Sequence, residues 1–231
     1  MGSEVILIVF YVIVLIYSII LHEISHGIVA LWLGDVTAKY AGRLTLNPKT
    51  HIDPIGSILV PGMLLLASMG QMAFGWARPV PYNPYNLRNQ KWGELAVALA
   101  GPAINIFLAT IAVILSKIII LSSAVKEEII RNFRNWSEVG QILSGSLESI
   151  FFLLLVYIVF WNIVLALFNL IPIPPLDGSK ILYSIFPIDA KVKIFLEQYG
   201  FFFLLFVLFF FGEGIQIILS WGISLFFNFM I

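Results

Sequence analysis

In the stretch SIILHEISHGIVALWLG (Ser18 to Gly34), three ionisable side chains, His22, Glu23 and His26, interrupt an otherwise apolar run. The spacing is H-E-x-x-H. On a helix, residues four apart lie about 40° from one another, so His22 and His26 present their rings on one face and can hold one Zn²⁺. Glu23 sits beside that face, placed to act as a base on a water at the metal instead of binding the metal. The alternative is a pair of satisfied core histidines with a buried glutamate. Ionisable groups inside a membrane segment are costly and mark function by default, so the zinc reading is preferred.

Two histidines do not complete a catalytic zinc site, which takes three protein ligands and keeps a position for water. The remaining candidates are His51, Asp35, Asp53, Asp177, Asp189 and a few glutamates. Asp177 lies in NLIPIPPLDGSK, where Pro172, Pro174 and Pro175 break an apolar helix. Such a break can turn an aspartate back towards the bundle interior, and Gly178 allows tight backbone geometry beside it. Asp177 could instead cap a helix starting near Ser179. His51, in the polar NPKTHIDPIG, reads more readily as a loop-packing residue.

The elements that carry these residues must lie in lipid. Of 231 residues, 60% are hydrophobic and 11% charged, against roughly 25% charged in an ordinary soluble domain. The formal net charge is zero and no basic block occurs, which gives no support to nucleic-acid binding. There is no cysteine, so disulfides and Cys-based metal sites are excluded. Six apolar segments stand out, at about 5–33, 55–75, 94–121, 149–171, 195–211 and 214–230. A spanning helix needs about 20 apolar residues, so the last two are short. The first is too long for a signal peptide and lacks a basic leader, and so reads as a retained helix. At 1.5 Å per residue the histidines lie about 25 Å beyond Val5 and about 10 Å before Leu33, within the bilayer thickness. The connections 34–54, 76–93 and 122–148 are too short for a soluble domain of roughly 50 residues. The expectation is one membrane-embedded domain, 1–231: an all-α polytopic helical bundle of five to six membrane segments with a small β-hairpin or re-entrant element.

The residues His22-Glu23-x-x-His26, Gly101-Pro102-x-x-Asn105 and Asn169-x-x-Pro172-x-x-x-Leu176-Asp177-Gly178 resemble the site-2 protease family of intramembrane zinc metalloproteases. The stretches GDVTAKYAGRLTLNP and FGWARPVPYNP look like a bacterial and archaeal branch of that family, without a PDZ or CBS domain. The likeness runs from Leu21 to about Lys180 with the motifs in order. It implies His22, His26 and Asp177 as ligands of one Zn²⁺, Glu23 as general base, and Asn169 near the substrate strand. It also implies regulated cleavage of single-pass membrane proteins, with an upstream site-1-type protease as a partner. Asn162, seven residues before Asn169, lies on almost the same helix face and could line the same groove. For Asn162, hydrogen bonding between helices outweighs the groove reading; the same caution applies to Asn105, and close helix packing explains Gly101 equally well. A metal transporter or metal-binding scaffold is the competing class, but it should relay polar residues through several spans, and here they converge on one site.

Ligands that meet at one depth constrain the path. If the first helix ends on side A, the segment before Asp177 runs towards side A, and 94–121 runs away from it. Residues 34–93 then begin and end on side A, so 55–75 is expected to be re-entrant, consistent with Pro61-Gly62 near its middle. Side A carries nine of the thirteen Lys and Arg, from Lys39 to Lys91 and from Lys180 to Lys193. By the positive-inside rule side A is cytoplasmic. The alternating AKYAGRLTLNP (Ala38 to Pro48) predicts a short strand on side A, with WARPVPY as a candidate partner; its edge is either open to β-addition by substrate or part of an ordinary sealing hairpin, two readings of equal weight.

Overall fold

The structure is a computed structural model describing residues 2–67, 69, 75–143 and 146–231. Four of its helices are long and apolar enough to cross a membrane. They are α1 (Gly2–Trp32), α4 (Gln90–Ser116), α7 (Leu147–Asn169) and α9 (Ala190–Met230). Between them lie the short α2 (Thr37–Tyr40), α3 (Val60–Ala67), α5 (Ser123–Asn132), α6 (Trp136–Ile142) and α8 (Asp177–Ile185).

Two expectations change here. The segments 195–211 and 214–230 belong to one helix, α9, of 41 residues. The intervening Gly212-Glu213-Gly214 does not break it. Each glycine costs only about 1 kcal/mol in a helix, Glu is a good helix former, and a backbone in lipid gains most by keeping its bonds internal. The strand pairing of 38–48 with 76–82 does not form, and no strand occurs among the described residues. Thr37–Tyr40 is a single helical turn, closed by Ala41 N–H to Thr37 O at 3.0 Å and followed by Gly42 at φ +65°. A positive φ at Gly42 ends the alternation that a strand would need. The two stretches nevertheless touch, since Arg43 Nη2–H donates to Arg78 O at 2.5 Å.

The described part of 55–75 is a π-helical stretch, Pro54–Leu59, of six residues, continuing into the eight residues of α3. That is short of the about 20 residues needed to span. Positions 68 and 70–74 lie outside the described residues.

The chain divides into two compact units, one of Met1–Ser18 with Pro102–Ile231, the other of Ile19–Gly101. In the first, the buried core gathers around Phe152, Leu153, Val156, Tyr157 and Val159 of α7, with Ala109 and Ala112 of α4 and Phe227 and Met230 of α9. The Tyr11 ring of α1 packs edge-on to Trp136 and Tyr157, at 5.2 Å between centroids in each case. α9 lies on α7 at Gly222, where the end of the Leu167 side chain fills the space a Cβ would take. The second unit has a smaller apolar core of Ala30, Leu87 and Val97. Much of its remaining cohesion is polar: Asp35, fully buried, accepts from Thr37 Oγ1 (2.5 Å), Asn83 N–H (2.8 Å) and Asn86 Nδ2 (2.8 Å).

Candidate metal centre

Helix α1 carries His22, Glu23 and His26 on consecutive turns, as the periodicity requires. Both histidines are buried, at 5% and 8% exposure. His26 Nδ1 meets the carbonyl oxygen of Val97 on α4 at 2.6 Å. A carbonyl only accepts, so Nδ1 carries the hydrogen and the neutral ring turns the Nε2 lone pair the other way. A bond of this kind can fix the orientation of a histidine for metal binding. His22 Nε2 faces His26 Nε2 at 3.1 Å. That is near the ~3.3 Å edge of a tetrahedron with zinc–nitrogen bonds of about 2.0–2.1 Å.

The space beside these nitrogens is kept open by one residue. A Cβ at Gly101 would stand 2.5 Å from both His22 Nε2 and His26 Nε2. At this position the missing side chain makes room for the donor pair itself. Two imidazole nitrogens and a carboxylate are a donor set that suits zinc. His22 and His26 of the second unit offer two buried imidazole nitrogens, and Asp177 of the first unit offers a buried carboxylate. The residues present therefore fit a Zn²⁺.

Asp177 is buried at the first position of α8. It caps no later helix: α8 begins at Asp177 itself, with Leu176 in the cap position. Chain reversal after α7 depends on Gly178, where a Cβ would overlap the carbonyls of Leu170 and Ile171. No other residue fits that approach.

Glu23 is half-buried, and its Oε2 accepts from the backbone N–H of Val80 at 2.8 Å. This partner was not legible in the sequence, because a backbone amide leaves no side-chain signature. The remaining ligand candidates have other work. His51 Nε2–H donates to Thr45 O at 2.9 Å, which is loop packing. Asp53 takes Ile55 N–H (3.2 Å) and the Trp76 indole N–H (2.9 Å). Asp189 caps α9 through Lys191 N–H at 2.8 Å, and Glu148 accepts from Ser146 Oγ at 2.8 Å.

The three asparagines separate. Asn105 Nδ2 donates to Asn162 Oδ1 at 2.7 Å, and Asn162 Nδ2 donates to Ser18 Oγ at 2.9 Å and Ile158 O at 2.8 Å. Both are buried, at 0% and 1% exposure, in a polar link between α1, α4 and α7. Asn169 is the last residue of α7, half-buried, with Nδ2 on Leu165 O at 2.9 Å.

The profile of Peptidase family M50 matches residues 10–207. YwhC of Bacillus subtilis (strain 168), described as a candidate zinc metalloprotease, is 39% identical over 193 residues, which are 83% of this chain and 76% of YwhC. Rip2 of Mycolicibacterium smegmatis, described in the same way, is 27% identical over 161 residues, and Rip2 of Mycobacterium tuberculosis H37Rv is 24% identical over 161. The chain spans 51% of the length of each Rip2 relative. No solved structure matches the chain. The family profile covers most of the chain and meets the histidine pair and its cradle of α4 on the way, so the chain belongs to peptidase family M50, the site-2 protease family, and is a multi-pass membrane zinc metalloprotease.

Proposed function

We propose that residues 1–231 act as one membrane-embedded protease domain, hydrolysing peptide bonds in or near the transmembrane segments of single-pass membrane proteins. His22, His26 and Asp177 are the ligands of one Zn²⁺ in this reading. When bound, the zinc polarises the scissile carbonyl and brings the pKa of its water towards about 7. Glu23 takes the proton of the attacking water and hands it to the leaving amine. Asn169, at the end of α7, orients the substrate strand. The proposal leaves Asn105 and Asn162 to helix packing, because their amides already bond across helices. The catalytic centre faces the cytoplasmic side, where most Lys and Arg lie. Cleavage then follows a first cut by a site-1-type protease, in regulated intramembrane proteolysis.

The observation that supports this reading most is the orientation of His26 by Val97 O together with the opening that Gly101 keeps beside both Nε2 atoms. A metal transporter would need neither a base beside the metal nor the family match. The test is Glu23→Gln, assayed on a transmembrane substrate in detergent. Removing a general base costs roughly 10²–10⁴ in rate, so cleavage should fall by at least that range while one zinc per chain remains. Cleavage persisting at the wild-type rate would overturn the assignment of Glu23.

A further inference from the structure

Residues 76–86 form a strap without strand pairing among the described residues, irregular over 76–83 and closed by the 3-10 turn Pro84–Asn86, and several of its polar groups are engaged one by one. Trp76 N–H donates to Gly56 O at 3.0 Å and its indole N–H to Asp53 Oδ2 at 2.9 Å. Arg78 N–H donates to His51 O at 2.9 Å, and Arg78 O accepts from Arg43 Nη2 at 2.5 Å. Val80 N–H donates to Glu23 Oε2 at 2.8 Å. Beyond it, Asn83 N–H and Asn86 Nδ2 both donate to Asp35, each at 2.8 Å. Pro79 and Pro81 have no N–H, so within 79–81 Val80 holds the one backbone donor.

Two features make this more than loop closure. First, the strap is fixed on both sides of Val80 by groups that do not need Glu23. On one side is Arg43, 7% exposed, on Arg78 O; on the other is Asp35, fully buried, on Asn83 and Asn86. The prolines flanking Val80 add stiffness by fixing φ on both sides. Second, the strap seats on α1 one turn beyond Glu23. A Cβ at Gly27 would come within 2.9 Å of Val80 Cγ1 and 2.6 Å of Leu44 Cδ2, so the strap and the Arg43–Leu44 loop both lie close on α1 at this glycine. A glutamate has three rotatable bonds, so holding its carboxylate in one place costs rotamer freedom. A proton-transfer group must already lie within hydrogen-bond reach of its target. A donor held rigidly against one carboxylate oxygen meets that need, leaving the geometry of the other oxygen defined.

We propose that residues 76–86 are a positioning strap for Glu23, with Val80 N–H as the contact and Arg43 and Asp35 as anchors acting through it. This rests on the reading of Glu23 as the general base. Arg43 also lies in the field of the Glu23 carboxylate, and its Nε has no hydrogen-bond partner.

The test compares wild type, Val80→Pro, Arg43→Met and Arg43→Lys, with kcat and KM measured per zinc-bound chain. Val80→Pro removes the N–H and replaces the buried, branched side chain by a ring of similar size, in a stretch already shaped by proline. It should lower kcat roughly 10- to 100-fold, the scale of a misplaced catalytic group, with KM within about twofold and one zinc retained. Arg43→Met should also lower kcat, and Arg43→Lys, which still reaches Arg78 O, should recover most of it. An unchanged kcat in Val80→Pro, or losses that merely track zinc or KM, would overturn the proposal. A second measurement needs no activity: hydrogen exchange in Glu23→Ala. The Val80 amide should exchange at least tenfold faster while the Arg78 and Asn83 amides stay slow, because the strap stands on its own anchors. If all three loosen together, Glu23 holds the strap and not the reverse, and the proposal fails. That outcome is separate from a failure of the general-base reading, which would show only as cleavage surviving in Glu23→Gln.

Discussion

Helix α1 enters two buried polar clusters four residues apart, at Ser18 and at His22. In the first, amides close on one another: Asn105 donates to Asn162, and Asn162 donates to Ser18 Oγ. An amide carries donor and acceptor on one group, so such a cluster can saturate itself. In the second, the bonds go to the backs of the groups. His26 gives Nδ1–H to Val97 O, and Glu23 takes Val80 N–H on a single oxygen. With Nδ1–H committed, His26 Nε2 in a neutral ring has only a lone pair to offer. The 3.1 Å between it and His22 Nε2 must hold a proton or a cation. Polarity within a membrane helix is thus not enough to mark chemistry. The direction in which the hydrogen bonds leave the reactive atoms is what separates a fastening from a site.

Gly101→Ala should break that distinction with the largest effect. The added Cβ would stand 2.5 Å from both Nε2 atoms, on a helix backbone that cannot easily retreat. The rings must turn away, and the bond to Val97 O with them. Zinc affinity should fall at least as far as for loss of an outer-shell partner, roughly 10- to 100-fold, with proteolysis falling alongside. Zinc titration of the metal-depleted protein measures it. Affinity within a factor of two of wild type would show that Gly101 serves packing alone.

Asn162→Leu probes the saturated cluster and should act on stability. Interhelical hydrogen bonds in membranes average ~0.6 kcal/mol and reach about 1.7, so loss of the bonds to Ser18 and Asn105 should cost about 1–2 kcal/mol. Unfolding in mixed micelles would report it. Zinc content should not change. A fall in kcat without a fall in stability would instead return Asn162 to the substrate groove.

The two clusters also differ in how far the sequence reveals them. His22, Glu23 and His26 stand out as candidates because metal chemistry restricts both residue type and spacing, whereas Asp177 is set apart from the other carboxylates by the proline break and the family resemblance. The chain break before Asp177 is legible too, since three prolines in four residues permit little else. The different hydrogen-bond partners of the asparagines were not legible, because helix-face arithmetic brings Asn162 and Asn169 together without saying where each amide points. The hairpin failed for a related reason. Alternation in AKYAGRLTLNP matched a strand, while one helical turn and a positive φ at Gly42 satisfied the same residues locally. The continuity of α9 was obscured by Gly212 and Gly214, whose local cost is outweighed by the need to keep backbone bonds internal in lipid. The anchors of the strap lie in polar loops, where neither periodicity nor motif spacing applies.

The smallest effect expected concerns Asp35, which anchors the strap outside the spans. Burial alone would raise its carboxyl pKa, but hydrogen bonds from Thr37, Asn86 and Asn83 together outweigh burial and hold it below the usual carboxylate range. A carboxyl that binds its proton less tightly when folded gives stability that is fully present above its unfolded value of about 3.9. That stability is lost as pH falls from there through the folded value. Between pH 7 and 5 Asp35 should therefore contribute no slope, and below about pH 4 the strap should loosen. The Asn83 amide reads this directly, since it donates to Asp35 Oδ2, and its exchange protection should fall in acid faster than that of the α7 core. Asp35→Asn should shift the thermal midpoint at pH 7 by a few degrees, at about 2–4 °C per kcal/mol for a chain of this size. It should also flatten the acid decline, because an amide has no proton to gain. An identical acid decline in Asp35→Asn would show that another carboxylate controls this edge of the metal centre.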